Sequence, residues 1–313
     1  MKNFLLTAAS LALLSSPALA ENIGVSMAAF DDNFLTVLRN GMGDHAKELG
    51  NVTLQVEDAQ NDVGKQQNQV DNFIASGVDA IIVNPVDTDA TAALSAAASA
   101  AGIPLVYVNR QPANIDSLPE KQAFVGSLEH DAGRMQGEEI CKQLKAAGKT
   151  EAKAVILLGE LSNQASRERT QGFKDVIAGD DCKFITVAEE QTANWQRTQA
   201  TDLVTNWLSA GTGFDAIASN NDEMAIGAIQ ALKSASKDMA SIVVGGVDAT
   251  QDGLAALQAG DLDVTVFQDA KGQGAGALDT ALKIAKGEKV ESKVYIPFQL
   301  VTKDNLGDFT SKN

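Results

Sequence analysis

From Asn22 onward, short apolar runs alternate with longer stretches in which apolar residues recur every three or four positions. The runs at 22–27, 53–58, 80–84, 105–109 and 123–127 predict strands, and 33–49, 64–76 and 88–101 predict helices between them. In the first helix Phe34, Val37, Leu38, Met42, Ala46 and Leu49 fall on one stripe, the mark of a helix laid against a core. The strand runs are almost continuously apolar, as when helices cover both faces of a sheet. The second half keeps the rhythm, with strands at 154–159, 184–188, 215–219, 242–248 and 263–268. Helices are predicted there at 130–147, 165–178, 196–209, 222–235, 250–259 and 271–286. Such alternation predicts an α/β protein with parallel sheets wound from right-handed βαβ units.

The halves also echo each other. DAIIVNPVDTDATAALSAA (79–97) parallels DAIASNNDEMAIGAIQAL (215–232), each a strand that ends in Asn before an Asp-led helix. Two similar doubly wound domains would bring both sets of strand ends to one cleft, where open α/β sheets bind their ligands. That rule selects Asp31, Asp32 and Phe34, Asn84, Asn109 and Arg110, Asn221 and Asp222, Asp248 and Gln268, with Arg167 and Arg169 in ASRERTQGF and Trp195 in TANWQR.

The set is rich in Asp, Asn, Arg and Gln and carries two aromatic rings. Carboxylates accept hydrogen bonds, guanidinium groups donate them, and amides do both. Hydroxyl-rich rings need this mixture along their edge, and Phe34 and Trp195 could cover their apolar faces. Each residue also has a plainer role open to it. Asp31, Asp32 and Asn33 suit a helix cap, Asp222 and Glu223 suit a helix N-terminus, and Asn84 before Pro85 suits a turn. Arg167, Glu168 and Arg169 suit a solvated helix face, and Trp195 a packing anchor.

Composition narrows the setting. MKNFLLTAASLALLSSPALA has a positive start, an apolar run too short to span a bilayer, and a small-x-small end, so a leader cleaved after Ala20 is expected. The chain is then exported, most simply to a periplasm. The remaining 293 residues (313 minus 20) suggest two domains. A net charge of −16 argues against a nucleic-acid partner, which needs clustered Lys and Arg. Cys141 and Cys182 lie outside any CxxC spacing; a disulfide and two separate small apolar residues both fit.

Catalytic, cofactor and metal readings find little support. His45 and His130 fall in predicted helices without an evident nucleophile or metal partner. GQGAGA (272–277) departs from a dinucleotide fingerprint, no Walker lysine pattern is present, and Asp31-Asp32 lacks the spacing of a calcium loop. No catalytic residue, cofactor or metal is therefore assigned.

FDDNF (30–34), AQNDVGKQQNQVDNF (59–73), VYVNRQP (106–112), SRERTQGF (166–173), TANWQR (192–197), SNNDEMAIGA (219–228), VGGVDA (244–249) and VFQDA (266–270) together resemble the sugar-binding proteins of ribose-, galactose- and inositol-type ABC importers. The resemblance runs over nearly the whole chain beyond the leader. It implies two Rossmann-like domains joined by three hinge crossings, near Ser127, Gln268 and Ile296. The domains would comprise 21–127 with 269–296, and 128–268 with 297–313. The implied ligand contacts are Asp32, Phe34, Asn84, Asn109, Arg110, Asn163, Arg169, Trp195, Asn221, Asp248 and Gln268.

Departures from the pattern bear on the ligand. Where galactose-type proteins carry His and Asp ahead of the arginine, this chain has Asn163 and Ala165, and the lost acid is one that helps hold the anomeric end of a hexose. Asn109 stands where ribose-type proteins have Asp. A pocket without an anomeric-end acid suits a cyclitol such as myo-inositol, and EEQTANWQR and IPFQL also resemble inositol- and rhizopine-type binding proteins. The resemblance thus implies a monomeric solute receptor that closes on its ligand and meets a membrane permease, with a chemoreceptor as a further partner in some relatives. Aldohexose or aldopentose binding is the alternative within the class. An exported sugar-active enzyme is the alternative outside it, with Asp32 and Asp248 as its acid/base candidates. A transcription regulator of the same fold would begin with a helix-turn-helix instead.

Overall fold

The computed structural model describes residues 20–313. The leader expected at 1–20 lies, apart from Ala20, outside the described residues. The first part of the chain runs β1 (Glu21–Met27), α1 (Asn33–Leu49), β2 (Val52–Asp58), α2 (Val63–Ser76), β3 (Ala80–Val83), α3 (Thr91–Ala101), β4 (Leu105–Asn109) and β5 (Gln122–Gly126). The second runs α4 (Glu129–Ala146), β6 (Ala152–Leu158), α5 (Gln164–Ala178), β7 (Ile185–Thr192), α6 (Arg197–Ser209), β8 (Ala216–Ser219), α7 (Asp222–Ser234), β9 (Val243–Gly245), α8 (Gln251–Ala259) and β10 (Thr265–Phe267). The chain closes with α9 (Ala270–Ala285), β11 (Lys293–Tyr295) and β12 (Gln299–Val301).

Two parallel sheets organise the molecule, in the orders β11-β5-β4-β3-β1-β2 and β7-β6-β8-β9. Each is the centre of a three-layer lobe. In the first lobe Ile23, Val25, Ile82 and Val106 pack against Leu38 and Met42 of α1 and Leu278 and Ala281 of α9. In the second, Val155, Leu157, Ile217 and Val244 pack against α6, α7 and α8. The chain passes between the lobes after β5, between β10 and α9, and between β11 and β12. These are the three crossings expected near Ser127, Gln268 and Ile296.

Three local differences from the expected elements have physical causes. The helix predicted from 88 begins at Thr91, because the Asp87 carboxylate takes the Asp89 N–H at 2.8 Å and holds 87–89 in a turn. The strand at 263–268 is not a full parallel neighbour of β9. It touches that side through isolated bridges, Gly245 to Val264 and Asp248 to Phe267, and pairs antiparallel with β12. Asp263 contributes by placing its carboxylate on the Val244 N–H at 2.7 Å, where a ladder carbonyl would otherwise sit. β11 and β12 were not foreseen, being three residues each, too short to show a period.

Cys141 of α4 and Cys182, ahead of β7, form a disulfide on the flank of the second lobe. The same α4 lies unusually close to α5. A Cβ on Gly133 would stand 1.8 Å from the Arg169 carbonyl oxygen, and one on Gly172 would stand 2.2 Å from that of His130. Only glycine permits this approach, and it seats Arg169 at the cleft.

Candidate functional site

A small cavity lies between the lobes, at the carboxyl ends of both sheets. It is lined by Asp32, Phe34, Asn109, Arg110, Asn163, Arg169, Trp195, Asn221, Asp248 and Gln268, together with Leu35 and Ala165. Asn163, implied by the resemblance, also lines the cavity; of the strand-end candidates, Asp31, Arg167 and Asp222 stay outside it, and so does Asn84. That residue is fully buried behind the wall and does not line the cavity. Its side chain accepts from the Ala28 N–H and donates to the Val108 carbonyl and to Asn109 Oδ1, at 3.4, 3.2 and 3.3 Å. Asn84 supports Asn109 rather than facing a ligand.

Several plainer roles prove compatible with a place in the wall. Asp32 caps α1 with one oxygen, which accepts the Leu35 N–H at 2.8 Å. Asn221 caps α7, accepting the Met224 N–H at 2.9 Å, and its amide also donates to the Trp195 carbonyl at 3.2 Å. Capping satisfies helix N–H groups and at the same time fixes the side chain at the strand end. Asp31 is exposed and lines only an outer space at the cleft mouth, whereas Arg167 is a surface residue.

Arg169 is the centre of the buried network. Its Nε donates to Glu129 at 2.6 Å, Nη1 to the Asn220 carbonyl at 2.7 Å and Nη2 to Gln268 Oε1 at 2.9 Å, while Asp248 lies 3.6 Å from Nη1. Burial works against its charge, but Glu129 and Asp248 outweigh that and hold its pKa above the usual value. Burial in turn pushes the Asp248 carboxyl well above the ordinary carboxylate range, with Arg169 opposing and Asp222, Asp32 and Glu129 adding to the rise. Burial raises Asp32 and Glu129 as well. Arg110 donates to the Pro85 carbonyl at 3.0 Å and lies 3.8 Å from Glu160, an ion pair that spans the cleft.

The backbone is strained where the cavity needs it. Asn109, Trp195 and Asp248 have φ of 66°, 64° and 118°, in a region that residues with a side chain rarely adopt. The Trp195 turn is held by Thr192 Oγ1, which donates to Asn194 Oδ1 at 3.0 Å, and by Asn221. The indole packs flat on Gly159, where a Cβ would come within 2.1 Å of the ring. Asp248 is braced by Asp222, which takes the Thr265 hydroxyl at 2.7 Å and the Thr250 N–H at 2.9 Å. Burial raises Asp222 to about 7. It is thus a strut for the Asp248 loop more than a helix-dipole partner.

Sequence reasoning missed Glu129, Gln273 and Leu35. Glu129 orients Arg169, and Gln273 joins Asn109 to Ser127 with bonds of 3.2 and 3.0 Å. Glu129 and Gln273 each sit in the first turn of the helix that follows a crossing, a position that could have marked them. Two unpaired buried atoms, Asn163 Oδ1 and Trp195 Nε1, belong to cavity residues. The wall thus offers acceptors at Asp32, Asp248 and Asn163, donors at Arg110, Arg169 and Trp195, and aromatic faces at Phe34 and Trp195.

The periplasmic binding protein domain model matches residues 23–289, and the chain belongs to that family. A Rhizobium meliloti protein provisionally named as rhizopine-binding is 64% identical over 313 residues, covering 100% of both chains. A solute-binding protein of an ABC transporter from Bacillus halodurans C-125, solved with bound myo-inositol, is 40% identical with a TM-score of 0.87, covering 96% of this chain and 100% of its own. A Caulobacter myo-inositol binding protein, solved with myo-inositol, is 29% identical with a TM-score of 0.85 and covers 94% and 97%.

Proposed function

We propose that the protein is an exported solute receptor, its leader removed after Ala20. It captures a cyclitol of the myo-inositol kind between its lobes and delivers it to the permease of an ABC importer. The observation that carries this reading is the composition of the cavity at the strand ends. Acceptors, donors and two aromatic faces surround it, and Ala165 lines it at the position where the resemblance to galactose-type proteins implies an anomeric-end acid. A cyclitol has hydroxyls all round and no anomeric centre, so it needs no such acid. Relatives solved with myo-inositol support the same choice.

The lobes, 21–127 with 269–296 and 128–268 with 297–313, would act as rigid halves turning on the three crossings. Closure excludes water, so each buried polar atom of the wall must find its partner on the ligand. Asp248 and Asp32 would accept from hydroxyls, and Arg110 and Arg169 would donate to them. The receptor would bind without turnover, as a monomer; in support of binding, the cavity sets Asp248 and Asp32 among Arg169 and Arg110. The test is a thermal-shift screen of the purified chain against aldopentoses, aldohexoses, inositols and amino acids. Inositols should raise the melting temperature most. Stabilisation by amino acids alone, or by no polyol, would defeat the proposal.

A further inference from the structure

Outside the cavity, the loop after β3 meets the start of α5 from the opposite lobe. Thr88 is fully buried there and lines no cavity. Its N–H and its hydroxyl both donate to the Ser162 carbonyl, at 3.1 and 2.9 Å. The same hydroxyl oxygen accepts the Gln164 N–H at 3.1 Å. Gln164 is the first residue of α5, and Asn163, its N-cap position, makes no capping bond with its own side chain. Asn163 instead spends its amide across the cleft, on the Val86 carbonyl at 3.2 Å. A helix start normally has its exposed N–H groups satisfied locally. Here the cap comes from the other lobe.

We propose that Thr88 is a capping residue in trans, a clasp that completes α5 only when the lobes are together. It thereby sets the affinity for every ligand without reading any of them. The inference rests on the closing receptor described above. Its logic is differential. Thr88 itself is fixed within its own lobe, where its carbonyl accepts from Thr91 Oγ1 at 2.8 Å and from the Ala113 N–H at 3.0 Å. The hydroxyl bonds only across the cleft. With the lobes apart, the Thr88 hydroxyl, the Ser162 carbonyl and the Gln164 N–H would all meet water. Together, and without that hydroxyl, the partly buried Gln164 N–H loses its partner. Loss of the hydroxyl therefore penalises the closed form alone. Asp89 and Arg167, 3.2 Å apart beside the clasp, are an exposed pair and add little.

The test compares Thr88→Val and Thr88→Ser with the wild type, in titrations of myo-inositol and of each further polyol that the wild type binds. Thr88→Val keeps the side-chain shape and should weaken every ligand by one common factor, about tenfold. The order of preference and the melting temperature of the ligand-free protein should not change. Thr88→Ser keeps the hydroxyl and should bind within about twofold of wild type. Equal binding by wild type and Thr88→Val overturns the clasp alone, as does a loss confined to one ligand or an equal loss in both variants. A wild type that binds no polyol overturns the clasp together with the reading of the site.

Discussion

Asp248 combines a left-handed backbone, full burial and an arginine 3.6 Å away, a costly arrangement unless the carboxylate is used. Burial raises its pKa, so with the lobes together the proton stays on to a higher pH than on an ordinary Asp. A carboxylate accepts a hydroxyl proton in a charge-assisted bond, and the protonated acid loses that advantage. Polyol affinity should therefore strengthen as pH rises through the raised value and weaken as pH is lowered from 8 through it. Asp248→Asn should bind more weakly at pH 8 and show a flatter profile. Titration calorimetry across that range checks both, and an equally steep profile in the variant would assign the effect to other groups.

At the level of elements, the helices and central strands were legible because their apolar residues keep period over many positions. The pieces that escaped are those where a side chain or a distant segment overrides local pattern. Asp87 delays α3, and the crossing strands β11 and β12 are three residues long. The wall was legible largely through one topological rule, that ligands sit at strand ends, although the rule also selected Asp31, Asn84, Arg167 and Asp222, which do not line the cavity. It could not reveal Glu129, whose partner Arg169 lies 40 residues away, nor the cross-lobe cap of α5. The disulfide belongs to this scale also. It ties α4 to the approach of β7 and closes a loop of 41 residues, for which chain entropy gives a stabilisation of roughly 4 kcal/mol. The Cys141→Ser/Cys182→Ser variant should unfold at lower urea concentration and bind with unchanged affinity, since neither residue lines the cavity. Unfolding equilibria with and without ligand check this, and a large fall in affinity would show that the bond shapes the cleft.

The whole molecule is two α/β lobes whose strand ends face one another across a small cavity, with three chain crossings on which to turn. Each lobe has its own core, so relative motion need not disturb packing. Polar groups from both lobes meet at the cavity rim, where Arg110 pairs with Glu160 and Thr88 caps α5, and at the crossings, where the Ala270 N–H donates to Asn313 Oδ1. Ligand and rim thus act on the same closing step, the first with specificity and the second without it. The central claim is that one cyclitol fills this space and leaves unchanged. Calorimetric titration of the purified chain with myo-inositol, followed by mass analysis of the recovered ligand, tests it most directly. Saturable binding at one site per chain with the ligand recovered intact is the expected result; no saturable binding, or a chemically altered ligand, would contradict it.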